Sequence, residues 1–160
     1  MQRRDVLAAG FLLTPLAAAL SACARQGDWP EGMQPIMWDR DTCVVCGMAI
    51  SDRRFAGELR GGPKQTVFKF DDPGCIVLAL HDKVQQFPWL RDPATRIWVA
   101  DVTSPPEAVR WLDARSAHYV AKFSPMGYNF GAIAHPQPGA IDFAAMSEHV
   151  LAKVRRKPPA

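Results

Sequence analysis

Gln65-Thr66-Val67-Phe68-Lys69-Phe70-Asp71-Asp72-Pro73-Gly74-Cys75-Ile76-Val77-Leu78-Ala79-Leu80 changes its hydrophobic period in the middle, and that change decides the fold class. Over residues 65–70 Phe68 and Phe70 fall on one face of an extended strand. From Pro73 onward Ile76, Leu80, Val84 and Phe87 recur at helical spacing. Asp72 can accept from free backbone amides at the start of that helix, and Pro73 suits its first turn, where no N–H is needed. The stretch therefore reads as a strand followed directly by a helix whose apolar face packs on a sheet.

Upstream, residues 54–60 place apolar side chains at alternate positions, and Gly61-Gly62-Pro63 supplies a turn, so the two strands pair as a hairpin. Downstream, residues 96–102 are apolar on both faces, as in a strand covered on both sides. The order is strand, strand, helix, strand. Residues 103–115 read as a connection with one turn of helix near Trp111-Leu112-Asp113-Ala114. A second series then starts: a strand over 117–123, a turn at Ser124-Pro125-Met126-Gly127, a strand over 128–134, and a helix carrying Phe143, Met146, Val150 and Val154. No strand pattern follows. The expected fold is α+β, built of two strand-strand-helix-strand units, the second lacking its last strand.

The N-terminus reads differently. Arg3-Arg4 precede an apolar run from Val6 to Leu20, too short to span a bilayer comfortably, and Leu20-Ser21-Ala22-Cys23 closes it. Residues 1–22 are expected to be a lipoprotein signal peptide and Cys23 the lipidated residue; acylation at more than one position would tether the chain stably to a membrane without spanning it. Residues 23–40 form a tether and lead-in whose Trp29 and Trp38 dock on the domain. Residues 41–154 are the domain, and residues 155–160 a basic tail that is solvated beyond a helix end. The formal charge of +3 lacks the long basic stripe of a nucleic-acid binder.

Cys43-Val44-Val45-Cys46-Gly47-Met48 gathers two thiols and a thioether within six residues. Soft sulfur selects cuprous copper, or zinc when thiolates alone are used. A dithiol at this spacing also suits thiol-disulfide exchange, although a redox motif belongs after a strand and at a helix start, whereas these residues precede the sheet. Closed zinc sites take four ligands, and only one pair is present; Cys75 and a histidine could complete the set. Met126 occupies a turn, where a large flexible apolar residue is rarely needed. Cys75 falls in the first turn of the helix after Asp72 and reads as a buried, inert thiol. His81, His118, His135 and His149 are scattered singly.

Taken together, the lipobox cysteine, Asp41-x-Cys43-x-x-Cys46-Gly47-Met48, Phe70-Asp71-Asp72, Trp98-Val99-x-Asp101, Trp111-x-x-Ala114 and Pro125-Met126-Gly127 resemble the NosL family over most of the chain beyond residue 22. The resemblance implies a periplasm-facing, copper-binding lipoprotein that assists maturation of nitrous oxide reductase, with a fold related to organomercurial lyase. It implies Cys46, Met48 and Met126 as ligands of one cuprous ion per chain, with Cys43 auxiliary, and a carrier rather than an enzyme. Its implied partners are a copper-delivery membrane complex and apo nitrous oxide reductase. A homodimer through the metal loops, and the choice of inner or outer membrane, stay open. The rival classes are a thiol oxidoreductase or lyase-like enzyme using Cys43 and Cys46, and a structural zinc-binding lipoprotein.

Overall fold

A computed structural model describes residues 29–156. The expected signal peptide, the Cys23 lipidation site and the end of the basic tail lie outside the described residues. The described chain is α+β. Strands β1 (Gly57–Gly61), β2 (Thr66–Phe70), β3 (Arg96–Ala100) and β4 (Trp111–Asp113) form an antiparallel sheet in the order β2-β1-β3-β4. Strands β5 (His118–Ala121) and β6 (Phe130–Ile133) form a separate hairpin, joined to the sheet by a parallel bridge between Asp101 and Ala132. Helix α1 (Pro73–Asp82) follows β2, and α2 (Phe143–Arg156) follows β6. The first unit is complete as strand-strand-helix-strand. The second has hairpin and helix with no closing strand among the described residues, as expected.

Register explains why this sheet is covered on both faces. Leu59 opposes Phe68 and Ile97, and Val99 opposes Leu112, so these side chains share the face that packs on α1. Glu58 opposes Lys69 and Trp98, placing those three on the other face. There the lead-in covers them: Ile36 is fully buried, and Trp29 stacks between Trp38 and Trp111 at centroid distances of 6.1 and 5.2 Å. The two tryptophans of the lead-in thus dock on the domain by apolar burial.

Three details differ from expectation. Helix α1 ends at Asp82 rather than reaching Phe87. Pro88 disfavours helical geometry in the residue before it, and Phe87 takes φ −128°, ψ 77°; a turn and a 3-10 segment, Pro88–Arg91, keep Val84 and Phe87 against the core without a helix. Residues 111–113, expected in a connection with one helical turn, form β4 instead, because the free edge of β3 accepts them as a fourth strand. Strand β1 starts at Gly57, since Asp52 ties Arg54 into a tight turn through both its backbone N–H and its guanidinium.

Candidate metal centre

The site forms where the edge of the sheet meets the start of α1. Residues 42–49 make a loop closed by an antiparallel bridge between Thr42 and Ala49, with Cys43 N–H donating to the Met48 carbonyl at 2.8 Å and Gly47 N–H to the Cys43 carbonyl at 2.9 Å. Gly47 holds φ +74°, a left-handed conformation that glycine adopts without cost to a side chain. Val44 N–H donates to the Lys69 carbonyl at 3.1 Å, seating the loop on the edge of β2. Strand β2 then runs out into Asp71-Asp72, and α1 begins. Asp72 caps the helix, accepting from Gly74 N–H at 2.8 Å, and Pro73 occupies its first turn as the sequence indicates.

This path brings Cys43, Cys46, Cys75 and Asp71 together, one donor atom from each lying within 4.8 Å of the others. Cys43 and Asp71 are 2% exposed and Cys75 is 0% exposed, whereas Cys46 is only partly covered. All three thiols are free. Three sulfurs and a carboxylate at this spacing can hold a metal ion, the carboxylate supplying an oxygen where the sequence suggested a histidine. None of the described histidines belongs to the cluster.

Electrostatics divide the thiols. The Cys75 thiol hydrogen-bonds to Cys43, and the backbone N–H groups of Cys46, Asp71 and Val45 are directed at the same sulfur, pulling Cys43 down to about 6 against the opposing effect of burial. Cys46 is pushed up to about 12, first by burial and then by the charge on Cys43 and Asp71; its thiol contacts Asp71 Oδ1 at 3.4 Å. Cys75 is pushed strongly upward, first by its hydrogen bond to Cys43 and then by burial. A metal ion bound here would take the place of the thiol protons that it displaces.

The second loop approaches from the hairpin. Ser124 Oγ donates to Asp72 Oδ2 at 2.5 Å, Met126 N–H to the same oxygen at 3.0 Å, and Asn129 N–H to Ser124 Oγ at 2.9 Å. Met126 and Tyr128 are partly buried against the core that contains Cys43 and Cys75. The Tyr128 ring lies on Gly74, so close that a Cβ there would stand 2.3 Å from it. Met48 is 57% exposed at the mouth of the first loop. The residues inferred from the sequence, Cys43, Cys46, Met48 and Met126, thus occupy two loops fastened to adjacent carboxylates, Asp71 and Asp72.

The sequence reading quoted Asp71 within the Phe70-Asp71-Asp72 motif without giving it a ligand role, and read Cys75 as a buried thiol that could complete a zinc set with a histidine. Cys75 is buried as expected, but it faces two other thiols. The usable signal was Asp71-Asp72-Pro73-Gly74-Cys75 itself: a strand end and helix start place a carboxylate and a thiol near each other, beside whatever loop covers the strand edge.

No helix among the described residues is long and apolar enough to cross a membrane. No family model and no curated protein matches the chain. Among solved structures, the chain is similar to the copper chaperone NosL from Shewanella denitrificans, with a TM-score of 0.48 and 20% sequence identity, over 74% of this chain and 88% of that one.

Proposed function

We propose that this protein is a copper chaperone, tethered through Cys23 on the periplasmic side of a bacterial membrane, that carries one cuprous ion on Cys46, Met48 and Met126 with Cys43 as auxiliary thiol. The carrying observation is the partly open Cys46 thiol, which contacts Asp71 and has an exposed thioether two residues away, while the loop of Met126 is hydrogen-bonded to the next carboxylate, Asp72. Thiolate supplies affinity, and thioethers supply selectivity for the soft cuprous ion without a proton to lose. Few, accessible ligands let a recipient replace them one at a time. The recipient in this reading is apo nitrous oxide reductase, supplied with a copper-delivery membrane complex.

Cuprous titration against a chromophoric chelator tests the reading. Wild type should take up about one ion per chain, and Met126→Ala and Cys46→Ser should each bind more weakly while retaining the fold. Unaltered affinity in Met126→Ala removes that residue from the site. Turnover of a disulfide or an organomercurial, lost in Cys46→Ser, would move the protein into an enzyme class.

A further inference from the structure

The geometry points to a docking cleft for an acidic segment of a partner protein, formed by the last turns of α2 and the start of β6, in which a carboxylate competes for the lysine that holds the methionine loop. The site goes beyond the cuprous reading and stands whether or not the two loops carry copper.

Tyr128, Phe130, His149, Ala152, Lys153 and Arg156 line a recess of about 320 Å³. Positions 149, 152, 153 and 156 are spaced at three and four residues, so they share one face of α2. The Phe130 ring lies 5.9 Å from the His149 ring, and Tyr128 also lies on Gly74 at the start of α1. No carboxylate lines the recess, and among the described residues Lys153 and Arg156 enter no ion pair. Cations in a last helical turn complement the helix dipole wherever they sit around it, so the dipole does not explain why these two flank aromatic rings. An aromatic floor beneath two unpaired cations is complementary to a carboxylate next to an apolar side chain. A bare phosphate or a flat lipid surface would leave that floor unused. Lys153 Nζ donates to the Gly127 carbonyl and so ties α2 to the loop that carries Met126. A carboxylate carries a full negative charge that the carbonyl lacks, and on entry it draws Lys153 away. The loop is then left with its contacts to Asp72, through Ser124 and Met126. Occupancy of the cleft is thereby felt at the methionine loop.

The test uses the full chain in neutral detergent, free of metal, with a capped pentapeptide of four glutamates around a central phenylalanine and its glutamine counterpart as control. The glutamate peptide should bind at least about tenfold more tightly than the glutamine peptide, and Lys153→Gln and Arg156→Gln should each weaken it about threefold to fivefold. Amide hydrogen exchange at Met126 and Gly127 should quicken about threefold to tenfold when the peptide binds, as expected for the loss of one hydrogen bond. Lys153→Gln should show that faster exchange without peptide and no further change with it. Equal binding of the two peptides, or wild-type affinity in both variants, overturns the site; binding that leaves the exchange unmoved overturns its link to the loop. Inorganic phosphate, or phosphatidylglycerol added to the micelles, held at Arg156 while the peptide is refused overturns it in favour of a phosphate or lipid site. Far-ultraviolet dichroism checks folding; if Lys153→Gln is unfolded, Arg156→Gln, a change at an exposed residue of the helix end, decides. Every readout is on the metal-free chain, so a failure of cuprous binding leaves these results intact, and their failure leaves the cuprous reading standing.

Discussion

The Ser124 hydroxyl donates to the Asp72 carboxylate at 2.5 Å across 52 positions of sequence, and this contact fastens the methionine loop to the start of α1. The same carboxylate accepts the Met126 and Gly74 backbone N–H groups, and burial raises its proton affinity. Asp72→Ala would remove a helix cap and leave two loop donors without their acceptor. It should cost about 2–4 kcal/mol in urea denaturation and weaken cuprous binding, because Met126 loses its anchor. Ser124→Thr, which keeps the hydroxyl, should retain most of both.

Gly74→Ala should be costly for a steric reason. Its Cβ would stand 2.3 Å from the Tyr128 ring, which is itself packed on the core. Overpacking of this kind costs about 1–3 kcal/mol, read as a lowered Tm. Combining it with Tyr128→Ala should give less than the sum of the two losses, since the truncated side chain leaves room.

Gly47→Ala separates backbone strain from crowding. A Cβ at Gly47 meets nothing within 4 Å, but φ is +74°. The expected loss is about 1 kcal/mol, the penalty for a side chain in the left-handed region. Cuprous affinity should fall with it if the loop relaxes, because Cys46 and Met48 flank the turn.

Glu58 should make stability depend on pH. Burial raises its carboxyl to about 7 from 4.5. Gln34 N–H satisfies one oxygen at 2.9 Å, the other has no partner among the described residues, and Lys69 is engaged by Asp41 and the Pro35 carbonyl. The folded state therefore keeps a proton that the unfolded chain sheds. This contribution is fully present below pH 4.5 and is lost as pH rises through about 7, a change of at most about 3 kcal/mol. Thermal melts of Glu58→Gln should show a flatter pH profile and a higher Tm than wild type at about pH 8.

The junction at residues 70–73 was legible because its signals are local: a change of period, a capping carboxylate and a proline within four positions. Trp111-Leu112-Asp113 was not, since three residues carry no period and their strand exists only because β3 offers an edge. Val84 and Phe87 keep helical spacing in a segment that is no longer helical, so spacing recorded burial correctly and backbone geometry incorrectly. At the site, the Cys43 and Cys46 spacing is visible in the chain, whereas their approach to Cys75 and Asp71 depends on the loop lying along β2, which no local pattern reveals.

The spread of the proposed sulfur ligands along the chain has a topological consequence. An ion carried on Cys46, Met48 and Met126 would tie together segments about eighty residues apart and act as a removable cross-link. Closing a loop of that length in the unfolded ensemble is worth about 4–5 kcal/mol by the chain-entropy argument used for disulfides. Unfolding would leave only the neighbouring pair Cys46 and Met48 to hold the ion, so a chain that lost its fold would also surrender its cargo.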